Sequence, residues 1–290
     1  METCYRHPTR ETGVSCSNCG RAICPDCMTP TPVGMRCPEC ARQRTPVKTM
    51  TSVRSGTQPT VTMVLIALNV IAFVAELASG SGVGSSSASR VVDAGALNGL
   101  KIAQDHEYWR LITGGFLHAG VLHILFNMYL LYVLGGLLEP AIGKLRFTAL
   151  YFTSLLAGSL GVIVAGAIAP DIGGWLGDKL GYLGQDTVGA SGAVFGLMGA
   201  AVVAMRARGI NPMESGIGWL IVINLGITFV IPGISVGGHI GGLIGGVVAG
   251  WLIFDVGERR RAGEVIGLAA CVVLSVGAVI GSIAVAAGAA

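Results

Sequence analysis

Seven stretches of this chain are too long and too apolar for an ordinary water-soluble globule of 290 residues. They are Val61–Ala78, Phe116–Leu138, Phe147–Ala167, Gly189–Met205, Ile217–Ile231, Val236–Phe254 and Val265–Ala287. A helix needs about 20 apolar residues to cross the ~30 Å hydrocarbon layer. Charged residues are 12% of the chain, about half the ~25% of soluble domains. A mean hydropathy of +0.69 excludes disorder, which needs low hydrophobicity and high net charge. The expected fold is an all-α polytopic membrane protein. Glycine occupies 45 positions without a Gly-X-Y period, so it points to close helix contacts rather than collagen.

The fourth and fifth stretches are short, at 17 and 15 residues. At about 1.5 Å per residue they do not fill the hydrocarbon layer, so their ends should lie below the surface. Backbone can end at that depth only where protein or a water-filled cavity receives it. Short spans therefore hint at an embedded site.

The polar residues divide the chain. Residues 1–60 carry eight of the 19 basic residues and seven of the eight cysteines. The expected organisation is a zinc-binding module over 1–44, a Pro/Thr/Ser/Arg linker over 45–60 and a six-helix core over 61–255. A charged hinge, Glu258-Arg259-Arg260-Arg261, then leads to a seventh helix within 256–290. No secretory leader is visible, because the N-terminus is polar and rich in Cys and Pro. With the N-terminus in the cytoplasm, fifteen of the 19 basic residues fall inside. Only Arg90, Lys101, Arg110 and Lys179 remain outside, a distribution that the positive-inside rule favours. The long first outer loop, about Ser79–Gly115, has the composition of a flexible linker in its Gly/Ser-rich part, Ser79–Ser89. Its second half ends Glu107-Tyr108-Trp109-Arg110, a mixture suited to an amphipathic element in the outer leaflet.

Few polar residues interrupt the membrane body. His118, His123 and Asn127 lie near the start of the second span, Ser191 opens the fourth and His239 opens the sixth. All three helices start on the outer side in this topology, so the depths match. A serine and a histidine at one depth suggest a nucleophile and its general base. His123 and Asn127, at i and i+4 on one face, are donors for a developing oxyanion, helped by amides at the helix start. No carboxylate in those three helices stands behind His239; Asp186 is nearest in sequence to Ser191, but a two-residue pair suits the cost of burying a carboxylate in lipid. Taken singly, Ser191 and Asn127 read equally as packing and interhelical hydrogen-bonding residues. Matched depth is what favours chemistry.

These residues also carry a family resemblance. Trp109-Arg110, His118, His123-Ile124-Leu125-Phe126-Asn127, Gly189-Ala190-Ser191-Gly192 and Gly238-His239-Ile240-Gly241-Gly242 together resemble the rhomboid intramembrane serine proteases over about residues 60–255. The resemblance implies a six-helix core with Ser191 as nucleophile and His239 as base. It implies that His123, Asn127 and the Ser191 amide form the oxyanion site, with His118 in the same polar layer in a water or hydrogen-bonding role. Trp109-Arg110 is then a structural signature of the first loop. Family members often place Tyr one turn after the serine, where this chain has Phe195, whose ring can still pack on His239. The seventh span resembles the family version with an added C-terminal helix. The steps Gly242-xxx-Gly246-xxx-Gly250, with Gly241-xxx-Gly245 alongside, read either as the device that brings His239 to Ser191 or as general membrane packing.

In the head, Cys4-x2-His7, Cys16-x2-Cys19, Cys24-x2-Cys27 and Cys37-x2-Cys40 are four pairs at zinc-ligand spacing. Only four residues separate Cys19 from Cys24, which disfavours two fingers in series. Interleaving is favoured: Cys4, His7, Cys24 and Cys27 on one zinc, Cys16, Cys19, Cys37 and Cys40 on the other. The arrangement resembles B-box modules. A cytoplasmic head is reduced, so disulfides are disfavoured; spacing does not distinguish zinc from iron. Both metals read as structural and as the source of the head's folding energy. Catalysis implies no cofactor. Cys271 reads as a small packing residue.

The expected activity is that of an intramembrane serine endopeptidase of the plasma membrane, cutting membrane-anchored proteins near the outer ends of their transmembrane helices. Its partners are those substrates, the bilayer and a cytoplasmic protein bound by the head rather than nucleic acid. The alternative is a non-catalytic adaptor that binds membrane helices and signals through the head. A transporter is disfavoured because inverted repeats are absent.

Overall fold

The computed structural model describes residues 2–31, 34–42, 59–80, 89–172, 174–257 and 263–290. Most of the 45–60 linker, the Gly/Ser-rich part of the first loop and the charged hinge lie outside the described residues. The chain separates into two compact units, Met1–Gly56 and Thr57–Ala290.

The first unit has two small antiparallel hairpins, β1 (Glu2–Cys4) with β2 (His7–Thr12) and β3 (Thr29–Thr31) with β4 (Gly34–Arg36). A 3-10 turn at Pro25–Cys27 and helix α1 (Pro38–Arg42) complete it. Its buried core is Ile23 surrounded by six cysteines. So small an apolar core cannot carry a fold unaided.

The second unit is helical. Its apolar helices are α2 (Thr60–Ala78), α6 (Val121–Ile142), α7 (Lys144–Ile172), α9 (Ser191–Ala207), α10 (Ile217–Val230), α11 (Val236–Trp251) and α12 (Gly263–Ala289). A π-helical turn, Leu252–Gly257, prolongs α11. Five are long and apolar enough to cross a membrane, while α9 and α10 are shorter. Between α2 and α6 lie three short helices, α3 (Arg90–Gly95), α4 (Gly99–Gln104) and α5 (Arg110–Thr113). Helix α8 (Gly174–Leu180) follows α7.

The seven apolar helices overlap the seven apolar stretches expected; α7 is longer at both ends than Phe147–Ala167, and α6 differs at both of its ends. Phe116 belongs to a 3-10 turn before α6, and α6 starts at Val121 after Gly120. At its other end α6 continues through Glu139 and Pro140 to Ile142, where a cytoplasmic loop was expected. Buried Glu139 explains the extension: its two carboxylate oxygens accept from the Val61 and Thr62 amides at 2.9 and 2.8 Å. One helix thereby caps the free N–H groups at the start of another.

Helix α9 is the axis of the bundle. Ala193 to Ala201 are all buried, without a break, between α7, α6 and α11. Glycine makes that density possible. A methyl group on Gly242 would strike the Gly192 carbonyl, and one on Gly246 the Gly196 carbonyl; Gly250 meets Ala200 in the same way. The paired numbers rise together, so α9 and α11 run parallel and in register, with both starts at the same end. Gly241 and Gly245 face α7 instead, against Gly161 and Ala157, with numbers running in opposite senses. The two glycine stripes of α11 therefore serve two different neighbours. Helix α12 docks on α7, where the Thr153 hydroxyl reaches the Cys271 carbonyl at 3.1 Å and the Ser275 hydroxyl at 3.0 Å.

Backbone-to-backbone packing leaves no side chain to move aside, and overpacking costs at least ~1–3 kcal/mol. Gly246→Val is expected to lower the melting temperature in detergent by more than ~5 °C. Gly226→Ala, which faces open space on α10, is expected to leave it within ~2 °C. Equal melting of the two variants would refute the contact.

Candidate active site and metal clusters

Ser191 is the first residue of α9, preceded by Gly189 at φ +139° and buried Ala190. The approach to it is fastened from the first loop. The Gly189 amide donates to the Gly114 carbonyl at 2.9 Å, and Leu97 and Thr187 exchange two backbone bonds of 3.0 and 2.9 Å. Asn98 donates to the Gly184 carbonyl and to Asp186, at 2.9 and 2.8 Å. Asp186 is thus occupied with the loop rather than with a histidine. Arg110, 2% exposed, donates to the Ala96 and Asp93 carbonyls, both at 2.8 Å, and pairs with Glu107. It satisfies the last carbonyls of α3. The half of the first loop expected to lie as an amphipathic element is this folded buttress, with the Trp109 ring at its exposed edge.

His239 lies in the first turns of α11 and is 7% exposed. The Phe195 ring stacks on it at 4.0 Å between centroids and 19° between planes, filling the place of the tyrosine usual in the family. A methyl on Gly192 would stand 3.4 Å from the Gly238 carbonyl oxygen. The residues adjoining Ser191 and His239 are therefore in contact, and the two starts expected at one depth do meet. On its other side, His239 Nδ1 lies 2.6 Å from the Thr228 hydroxyl of α10.

His123 opens onto Ser191. A methyl group on Gly189 would stand 2.9 Å from His123 Nε2 and 3.5 Å from Ser191 Oγ. The His123 ring edge and the Ser191 hydroxyl therefore both border the Gly189 Cα. The Ala119 amide donates to His123 Nδ1 at 3.2 Å. An amide can only donate, so Nδ1 accepts and the ring proton sits on Nε2, on the edge that borders Gly189. A glycine at 189 lets the His123 ring approach this closely and permits the positive φ.

Asn127 and His118 both adjoin His123. The Asn127 side-chain amide donates back to the His123 carbonyl at 2.9 Å, one turn earlier on α6. His118 is buried beside His123, the rings edge-on at 5.2 Å, and its ring nitrogens have no protein partner. The His118 amide donates to Glu76 of α2 at 3.1 Å.

Three contributors escaped the sequence reading: Thr228, Glu76 and Glu139. The available signal for Thr228 was its i, i+4 relation to Asn224, the polar pair in an otherwise apolar segment. Glu76 sits inside an apolar segment, where a carboxylate always demands a partner.

In the head, the eight ligand atoms fall into two groups, Cys4, His7, Cys24 and Cys27, and Cys16, Cys19, Cys37 and Cys40. This is the interleaved pairing. Within each group all ligand atoms lie within 4.8 Å of one another. Three sulfur–nitrogen separations, from Cys24, Cys27 and Cys4 to His7 Nδ1, are 3.3, 3.5 and 3.8 Å. A tetrahedral zinc with bonds of 2.0–2.3 Å sets its ligands about 3.5–3.8 Å apart, so these donors fit. The Cys37 amide donates to Cys16 at 3.2 Å and holds that thiol down at about 6. Burial and neighbouring thiols push Cys37 up to about 12. Four sulfurs so close cannot all ionise without a cation between them.

The full chain is expected to carry about two zinc equivalents. Cys4→Ser combined with Cys24→Ser should remove one and leave the other. If the pairs bound serially, each change would strike a different metal; loss of both equivalents would exclude interleaving.

The Rhomboid domain family model matches residues 105–256. Rhomboid protease GluP of Bacillus subtilis (strain 168) is 34% identical over 195 residues, covering 66% of this chain and 34% of the relative. RHOMBOID-like protein 1 of Arabidopsis thaliana is 41% identical over 106 residues, 37% of this chain and 23% of the relative. Inactive RHOMBOID-like protein 8 of the same plant is 31% identical over 137 residues, 47% and 34% of the two chains. The chain thus spans about a third or less of the length of these relatives.

Proposed function

This chain belongs to the rhomboid family, and we propose that it is an intramembrane serine endopeptidase. Ser191 Oγ attacks the scissile carbonyl while His239 takes its proton, and the tetrahedral oxyanion forms between His123 Nε2 and the amides that open α9. His239 then passes the proton to the leaving amine, and water repeats the sequence on the acyl-enzyme. The observation that supports this reading best is that His123 Nε2 and Ser191 Oγ both border Gly189, within 2.9 and 3.5 Å of where a side chain there would begin. A purely binding protein needs no imidazole donor turned toward a serine. Asn127 assists by fixing the first turns of α6, and buried His118 completes the polar layer at their start.

The substrates are membrane-anchored proteins cut near the extracytoplasmic ends of their transmembrane helices, and the enzyme resides in the plasma membrane. The N-terminus lies in the cytoplasm and the C-terminus outside, a reading supported by the distribution of its basic residues. The B-box-like head holds two structural zinc ions that supply its folding energy and offers a surface to a cytoplasmic protein.

One relative is named inactive, so the test is chemical. In vesicles with a single-pass substrate, Ser191→Ala and His239→Ala are each expected to lower kcat by about 10³-fold or more. Gly189→Ala, whose methyl would press on the His123 ring at 2.8 Å in a backbone conformation that strains any side chain, should cost about 10²-fold by displacing that donor. A wild-type chain that neither cleaves nor takes a fluorophosphonate at Ser191 would favour the adaptor reading.

A further inference from the structure

We propose that Thr228 is the positioning residue for the general base, fixing the His239 ring in the tautomer that catalysis requires. The inference rests on the Ser191–His239 reading and adds a third member from a different helix.

The Thr228 hydroxyl has two neighbours. It lies 2.8 Å from the Asn224 carbonyl one turn back on α10, and 2.6 Å from His239 Nδ1 on α11. A hydroxyl has one proton to give and lone pairs to accept with. A carbonyl oxygen only accepts, so the Thr228 proton goes to Asn224, the back-bond common for threonine in helices. The contact with His239 must then run the other way, with the ring nitrogen donating and the hydroxyl accepting. The ring proton is thereby held on Nδ1, and Nε2 is left with a lone pair. That is the form in which an imidazole can remove a serine proton. When Nε2 takes the proton, the same acceptor still faces Nδ1–H and steadies the imidazolium.

A second observation points the same way. The buried residues of α10 are Gly218 and Thr228 alone, while Trp219, Val222, Ile223, Ile227 and Val230 are exposed. Gly218 is buried against Met213 of the preceding loop. Thr228, with no exposed surface, is thus the one fully buried side chain beyond Cα in α10, and it meets the base. Ile217, Leu220, Ile221 and Leu225 pack on the core only in part, and all are apolar. Packing alone needs no hydroxyl at 228, since valine would fill the volume.

His123 and His239 are then set oppositely by fixed neighbours. An amide donor on its Nδ1 leaves His123 with Nε2–H, a donor for the oxyanion. A hydroxyl acceptor on its Nδ1 leaves His239 with a bare Nε2, a base for the nucleophile. Exchanging either neighbour for the opposite hydrogen-bonding type would reverse the role.

The test compares Thr228→Val, which keeps the shape and removes the acceptor, with Thr228→Ser, which keeps the acceptor. With the full-length chain in vesicles and a single-pass substrate, Thr228→Val is expected to lower kcat about 10–100-fold with KM within about twofold. Thr228→Ser should restore kcat to within about threefold of wild type. Fluorophosphonate labelling of Ser191 should slow in the same ratio. To separate chemistry from folding, the valine change is repeated in His239→Ala, where it should cost less than about twofold because the base it serves is gone. Unchanged kcat in Thr228→Val, or an equal loss in Thr228→Ser and Thr228→Val, overturns the positioning role. In those cases continued inactivity of Ser191→Ala leaves the protease reading standing. A wild-type chain that neither cleaves nor labels overturns both.

Discussion

The site depends on two helix backbones lying against each other without side chains between them. Helices α9 and α11 meet at Gly192 with Gly242 and at Gly196 with Gly246, in parallel register. Helix association in lipid lacks a hydrophobic driving force and relies on packing and hydrogen bonds, so contact this close is itself the adhesive. It also sets the chemistry, because Ser191 and His239 stand at the starts of the two helices. Phe195 belongs to α9 and stacks on His239 of α11, so the His239 ring plane is set from the helix that Ser191 opens.

Buried polar groups do the remaining fastening. Glu139 caps the start of α2, Glu76 receives the His118 amide, and Arg110 collects the carbonyls that end α3. Each joins segments distant in sequence, and a group with no water available cannot release its partner cheaply. The chain from α3 to α5 is thereby a rigid support: through Gly114 and Leu97 it holds the segment before Ser191. A loop with that duty cannot be loose, since Ser191 lies two residues beyond the held Gly189 amide.

The membrane helices were legible in the sequence because hydrocarbon admits few alternatives: seven apolar stretches became seven apolar helices, two of them short. The residues of the trio were legible for a related reason, since Ser191, His239 and His123 are polar groups at helix starts in an apolar setting. The interleaved metal ligands followed from the four-residue gap between Cys19 and Cys24. What remained hidden depends on direction in space. Glu139 looked like loop because apolar character ends at Leu138, yet its carboxylate is drawn inward by two unpaired amides. Asn127 shares a face with His123, but spacing alone does not reveal that its amide turns back to its own helix. Thr228 resembles any threonine in an apolar helix until the neighbour beyond it is known to be His239.

The absence of a carboxylate behind His239 is a consequence of where the site lies. In water-filled clefts a buried aspartate orients the base and offsets its developing charge. At membrane depth an ionised carboxylate costs several kcal/mol to bury, and the cost is recovered only with several donors. Glu139 meets that condition with two amides and the Thr62 hydroxyl; among the described residues nothing comparable surrounds His239. A hydroxyl whose own proton is already committed to a helix carbonyl is the neutral substitute. It accepts from Nδ1 with the same geometry and carries no charge to desolvate. The exchange gives up electrostatic stabilisation of the imidazolium and keeps orientation, which is the part a ring stacked on Phe195 and pressed between two helices can use.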